Sequence, residues 1–215
     1  MKLRKNSTDF HAFTNVWILD EYNIHKLQIQ ENDTVIDIGA HIGLFSICAS
    51  QFCTKGRILS FEPIKKNYDL LLYNIGLNEI KNAKLFPKAV SDKLGMVKVF
   101  LSLDSAAHSL FIKGKEYVEV ESTSLKEILD SNEIKNCNLL KLDCEGSEYI
   151  ILNSLTDEYF DRIQKIVMEY HLANEKPELI NDLIEKLTSL NYRVKTVKKA
   201  SDSGLLFAER DQNLK

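Results

Sequence analysis

Apolar positions in this chain change period again and again, from runs that suit a buried strand to the i, i+3, i+4, i+7 spacing of an amphipathic helix. Val35–Ile38 is a short apolar strand, and Phe45, Cys48, Ala49 and Phe52 then mark one helical face. Arg57–Phe61 predicts a second strand ending at Glu62-Pro63, where the proline suits a helix start. Tyr68, Leu71, Leu72 and Ile75 follow as the next helical stripe, and Lys84–Phe86 reads as a third strand. The stretch from Met96 to Glu121 breaks the rhythm, with extended segments Met96–Leu101 and Tyr117–Glu121 around a polar loop. Alternation resumes with a helix at Leu125–Leu129, a strand at Leu139–Leu142, a helix at Glu148–Leu155 and a strand at Ile163–Met168. A long helix is lined by Leu179, Ile180, Leu183, Ile184, Leu187 and Leu190. The last two strands, Tyr192–Val197 and Leu205–Ala208, are separated by a loop too short for a crossover helix. The final strand is therefore expected to run antiparallel. The whole predicts an α/β chain with a mostly parallel sheet, a β insertion and one closing antiparallel strand.

Length and composition narrow this only slightly. At 215 residues, 44% hydrophobic and 27% charged, the chain is an ordinary globular one. No repeat, low-complexity tract or linker divides it, so one domain is expected over 31–215, with 1–30 as an N-terminal segment packed on the core. Trp17, Ile18, Leu19 and Tyr22 are the residues that would pack there, as a helix over the sheet edge or the ligand. A net charge of −3 gives no broad attraction for nucleic acid. No apolar run approaches the roughly 18 residues of a membrane span. The basic N-terminus lacks the apolar core of a secretory signal. Four cysteines without metal or disulfide spacing read as reduced thiols, and the expected location is cytoplasmic.

The candidate chemistry sits where strands end. Gly39 and Gly43 follow the first strand, where a sharp turn and a close ligand both favour glycine, and the next helix opens its unpaired N–H groups towards that turn. Asp37 lies just before them, within Asp37-x-Gly39-Ala40-His41-x-Gly43. A carboxylate there repels a pyrophosphate but suits S-adenosylmethionine, whose sulfonium and ammonium are positive. Glu62 ends the second strand, placed for the two ribose hydroxyls. Lys141-Leu-Asp143-Cys144-Glu145-Gly-Ser-Glu148 puts three carboxylates at one strand end. Glu148 fits an acid favoured by the helix dipole, whereas Asp143 and Glu145 fit that role less well. Met168-Glu169-Tyr-His171 brings a further carboxylate and an imidazole to the next strand end. His108 and Ser109 lie in the β insertion, either as an ordinary polar loop or as a flap over an acceptor. Lys195, Lys198 and Lys199 read as a solvated face.

Six stretches, in order over roughly residues 17 to 208, resemble the FkbM family of methyltransferases: Val-Ile-Asp-Ile-Gly-Ala-His-Ile-Gly, Ser-Phe-Glu-Pro with Asn67, Lys88-Ala-Val-Ser-Asp92, His108-Ser-Leu, Lys-Leu-Asp-Cys-Glu-Gly-Ser-Glu and Met-Glu-Tyr-His. His41 stands where the family usually has Asn, and Cys144 replaces an aliphatic residue. The resemblance implies a single-domain, seven-stranded, Rossmann-like class I methyltransferase sheet. It also implies S-adenosylmethionine-dependent O-methylation, often of sugar hydroxyls on polysaccharides, glycolipids or natural products. On that reading Asp37, Gly39, His41, Gly43 and Glu62 hold the cofactor, with Ala89, Val90 and Ser91 near its adenine. His108, Ser109 and Tyr22 face a small-molecule or glycan acceptor, with Tyr22 and Trp17 offering an aromatic surface. Asp143, Glu145, Glu169 and His171 form the catalytic set, with His171 or Glu145 as base and no metal. A metal-dependent route through Asp143 and Glu169 remains the alternative, as do an RNA methyltransferase and a catalytically silent binding module.

Overall fold

The structure, a computed structural model, describes residues 1–102 and 116–211. Three short helical turns open the chain, α1 (Asp9–Phe13), a π-helical turn at Thr14–Ile18 and a 3-10 turn at Ile24–Lys26, before the first strand. The core then alternates: β1 (Thr34–Ile38), α2 (Leu44–Ser50), β2 (Arg57–Phe61), α3 (Lys65–Leu77) and β3 (Ala83–Phe86). Next come β4 (Ala89–Ser91), β5 (Gly95–Phe100), β6 (Tyr117–Ser124) and α4 (Leu125–Ser131). The last third holds β7 (Leu139–Leu142), α5 (Glu148–Asn153), α6 (Asp157–Phe160), β8 (Lys165–Tyr170), α7 (Pro177–Ser189), β9 (Tyr192–Lys198) and β10 (Gly204–Arg210).

Seven strands form the main sheet in the order β3-β2-β1-β7-β8-β10-β9. Every pair is parallel except those of β10, which lies antiparallel between β8 and β9. The expected antiparallel strand is thus present, inserted one place in from the edge. β1 and β7 are buried along their whole length, as a central parallel strand covered on both faces requires. The order reverses direction at β1, between β2 and β7, so the carboxyl ends of these strands open the crevice where ligands of open α/β sheets bind.

Three sequence expectations shift. Ala89–Ser91, placed near the adenine with no element assigned, is a strand; it pairs with β6, which pairs with β5, as a separate three-stranded sheet. Three residues are too few to show a period, so the pattern gave no sign of it. The strand expected at Ile163–Met168 runs over β8 instead, which carries Glu169 within the strand; Ile163 forms only an isolated bridge to Cys137. The helix expected from Glu148 to Leu155 stops at Asn153.

In the N-terminal segment Val16, Tyr22, Ile24, Leu27 and Ile29 are buried against Val35, Phe45 and Val167. Trp17 is half-buried, its indole N–H donating to the Leu44 carbonyl at 3.2 Å. Ile18 and Leu19 are exposed. The four cysteines form no disulfide; three are buried and Cys144 is half-buried. Among the described residues no helix is long and apolar enough to cross a membrane.

Candidate active site

A cavity of about 290 Å³ opens at the carboxyl ends of β1, β2 and β7. Gly39, His41, Glu62, Ala89, Val90, Asp143, Glu145, Glu169 and Tyr22 line it, so most of the predicted site converges. Asp37, Gly43, Ser91 and His171 stand outside that lining. His108 and Ser109 lie outside the described residues.

The turn after β1 is shaped by close approach of backbone to backbone. Gly39 has φ +76°, and a Cβ there would meet the Asp143 carbonyl oxygen at 1.8 Å. The glycine is needed because β7 passes so close, where the sequence alone credited a ligand. Gly43, at φ +91°, precedes α2, and a Cβ there would press on Leu71 at 2.7 Å. His41 also takes a left-handed φ of +49°. That geometry aims its backbone N–H at Glu62 Oε2, 2.9 Å away. The other Glu62 oxygen accepts from the Ile64 N–H at 2.8 Å and from Asn67 Nδ2 at 3.5 Å. Glu62 is only 5% exposed, and its burial raises its pKa to about 7 against those hydrogen bonds.

Asp37 does not face the cavity. It is fully buried, accepts from Ser46 Oγ at 2.6 Å, and lies 3.2 Å from the ammonium of buried Lys141. Its charge is spent inside the protein. Asp143 on the neighbouring strand end does reach the cavity, bonded by the Tyr22 hydroxyl at 2.7 Å and 3.8 Å from Lys141 Nζ. Burial pushes the Asp143 pKa up, but Lys141, His171 and the Tyr22 hydrogen bond outweigh it and hold the group lowered. Tyr22 is itself enclosed, edge-on to Phe45 with ring centres 5.5 Å apart. It orients Asp143, and the free aromatic face expected of it is absent. Ser91 bonds Ser122 at 2.8 Å and serves the small sheet.

The ends of β7 and β8 assemble the rest. Glu145 is held at φ +54°, followed by Gly146 at +100°, an uncommon backbone for a glutamate. His171 Nε2 lies 3.6 Å from Glu145 and 3.9 Å from Glu169, and its Nδ1 lies 3.2 Å from Glu148. Glu148, read from the sequence only as an acid favoured by the helix dipole, does more. Its two oxygens accept from the Cys144 and Gly146 N–H groups, each at 2.8 Å, so it fixes both the loop and the imidazole. Burial lowers the His171 pKa, but the Glu148 hydrogen bond and the surrounding carboxylates prevail and raise it to about 10. Burial raises Glu145 to about 8, opposed by His171 and reinforced by the neighbouring acids. Glu169 is raised to about 7 by burial and by Asp143, while its 2.7 Å bond to Lys199 opposes the rise. Lys199, read as solvated, instead bridges Glu169 and Glu21. Donor atoms of Asp143, Glu145 and His171 lie within 4.8 Å of one another, a trio spaced for a cation. This differs from the Asp143 and Glu169 pair weighed from sequence.

The chemistry of these donors fits S-adenosylmethionine. Glu62 offers acceptors at the end of β2, Asp143 offers negative charge at the end of β7, and Ser147 lines the cavity with a buried hydroxyl that has no partner among the described residues. The model of the methyltransferase FkbM domain matches residues 37–194, and the chain belongs to that family. It is an S-adenosylmethionine-dependent methyltransferase; solved neighbours of its fold carry the cofactor or its demethylated product. Methyltransferase sdnD of Sordaria araneosa is 25% identical over 181 residues, covering 69% of each chain. Hexuronic acid methyltransferase AglP of Haloferax volcanii is 23% identical over 171 residues, covering 76% of this chain and 69% of the relative. In fold alone the chain is similar to an rRNA methylase from Streptococcus thermophilus, at TM-score 0.59 and 8% identity over 91% of this chain and 96% of the other.

Proposed function

We propose that this enzyme methylates an alcohol oxygen, and that the alcohol is a sugar hydroxyl. The observation that carries the reading is the pairing of basic and acidic groups beside one cavity: Glu145 and Glu169 with pKa values near neutrality, beside an imidazolium. An alcohol is a poor nucleophile until its proton is removed, and a base works best with a pKa near the working pH. The relative named for hexuronic acid supports a sugar as the class of acceptor.

Bound S-adenosylmethionine supplies an electrophilic methyl carbon on a sulfonium. Glu62 holds the ribose end, and Asp143 provides negative charge towards the positive end, the role that sequence gave to Asp37. Glu145 would accept the hydroxyl proton as the acceptor oxygen takes the methyl group that the sulfonium supplies. His171 is protonated near neutral pH, so it serves Glu145 as a fixed positive neighbour and not as the base. Glu148 holds that imidazole, and Lys199 holds Glu169. Holding the two reactants in line supplies about 7–11 kcal/mol of the barrier.

Incubation with methyl-labelled cofactor, simple glycosides, uronic acid glycosides and RNA tests the reading. Label in an ether on a sugar is expected, and it should persist after exhaustive EDTA treatment. Label confined to RNA overturns the acceptor. Activity lost to EDTA and restored by Mg²⁺ overturns the base assignment and makes the Asp143, Glu145 and His171 trio a ligand set.

A further inference from the structure

A second cavity, of about 370 Å³, lies along the last strands of the sheet, and its lining is basic. Lys26 comes from the N-terminal segment, Lys165 from β8, and Arg193 and Lys195 from β9; Glu209 of β10 is the one carboxylate. This concentration of positive charge runs against a chain whose net charge is −3. The register explains it. Arg193, Glu209 and Lys165 face one another across three neighbouring strands, and Lys195 pairs with Phe207 in the next row on that face. Arg193 takes up Glu209 at 3.4 Å, and Lys165 donates to the Leu27 carbonyl at 2.6 Å. Lys26 and Lys195 have no carboxylate partner among the described residues. Lysines on an edge strand guard against pairing with other chains, which accounts for Arg193 and Lys195. It gives no reason for Lys26 and Lys165 to converge on the same hollow.

The groove also abuts the active site on both walls. Strand alternation puts Arg193, Lys195 and Val197 on one face of β9, and Lys199 follows one residue past its end; Val197 lines the groove, and Lys199 lines the main cavity. On the opposite wall Tyr22 lines the main cavity and Asn23 the groove. The two cavities adjoin at the Lys199–Glu21 ion pair, and a chain-like ligand that crosses it from the reactive carboxylates reaches the basic hollow, where Phe207 offers an apolar floor for the C–H face of a sugar.

We propose that this groove holds the carboxylate-bearing units that flank the methylated sugar of an acidic glycan. The proposal rests on the sugar reading above, so its test is a binding measurement that needs no methyl transfer. Hexameric oligogalacturonate, neutral maltohexaose and a single-stranded RNA are titrated into the full chain at low and high salt. The uronate hexamer should bind saturably and weaken with salt, and the neutral hexamer should bind much less. Combining Lys26→Gln, Arg193→Gln and Lys195→Gln should weaken the uronate about tenfold, as expected for partly exposed charge contacts. The affinity for S-adenosylhomocysteine and the Tm should hardly change. Absence of uronate binding, or binding that the triple variant does not weaken, overturns the proposal. RNA bound more tightly than the uronate, and lost in the variant, overturns it in favour of a nucleic acid. Uronate binding without methylation of any glycoside would overturn the sugar reading and leave the groove standing.

Discussion

The carboxylate at the end of β2 and those at the ends of β7 and β8 face one cavity from either side of β1, and they are held by different means. Glu62 is clasped by backbone: both oxygens accept main-chain N–H groups, from His41 and Ile64. Its position follows from the path of two loops. Asp143, Glu145 and Glu169 are held by side chains that themselves carry charge or protons: Lys141, Tyr22, His171 and Lys199. A clasp of N–H groups makes a fixed acceptor, suited to recognising hydroxyls. A cluster of mutually coupled acids and bases makes a proton store. On the proposed function, the same residue type serves binding on one side and chemistry on the other.

The largest expected break in that comparison is Glu145→Gln. It keeps the shape and hydrogen-bonding length but cannot take a proton. A positioned base contributes about 10²- to 10⁴-fold, so kcat should fall by that range while the affinity for S-adenosylhomocysteine stays within a few fold. Steady-state kinetics beside calorimetry checks it, and equal loss of both would place Glu145 in the binding clasp.

Glu62→Ala should do the reverse. A hydrogen bond to a charged group is worth about 1.5–3 kcal/mol, which corresponds to a roughly ten- to hundredfold rise in the cofactor Kd. The rate at saturating cofactor should change little. A collapse of kcat with unchanged Kd would mean that Glu62 belongs with the reactive cluster.

The pH dependence sharpens the contrast further. In the proposed role of Glu62, cofactor hydroxyls donate best to its ionised form, so binding favours loss of its proton, and affinity should weaken as pH falls through about 7. The base role needs Glu145 ionised, so kcat should climb as pH rises through about 8. Deprotonation of His171 near 10 removes its positive charge and should bring kcat down again. The two rising limbs lie close together, and variants assign them. Glu62→Gln should abolish the affinity limb and leave the rate limb in place.

Strand ends were legible in the sequence for a simple reason: a carboxylate straight after a buried apolar run has only the sheet edge to go to. This placed Glu62, Asp143, Glu145 and Glu169 correctly at one cavity. It misplaced Asp37, because the ammonium that consumes its charge comes from Lys141 on β7, a neighbour in space only. Lys141 did leave a trace, as the single charge in the buried run Leu139–Leu142. Glu148 was set aside because an acid at a helix start has an adequate local explanation, and nothing local shows that it also grips His171. Lys199 and the N-terminal arginine left no trace at all, since each reaches the site from a loop whose course no periodicity encodes.

That arginine gives the smallest expected effect and the finest test. Arg4 is bound to buried Asp9, with a 2.7 Å contact from its Nη2 to Oδ1. The guanidinium also reaches the clasp: Nη1 donates to Asn67 Oδ1 at 2.8 Å, and Nη2 lies 2.9 Å from His41 Nε2. Burial lowers the His41 pKa to about 4, so the ring is neutral at working pH and its Nε2 can accept from the arginine. Arg4 therefore steadies two residues that hold Glu62, without lining the cavity itself. Arg4→Ala should raise the cofactor Kd about three- to tenfold, in line with one or two indirect hydrogen bonds worth about 0.5–1.5 kcal/mol each, with kcat at saturation unchanged. Asp9→Asn should act in the same direction, because it loosens Arg4. A drop in kcat with intact cofactor affinity would show that the N-terminal segment serves the reactive side of the site, and the division between a clasped acceptor and a coupled proton store would no longer follow the two strand ends.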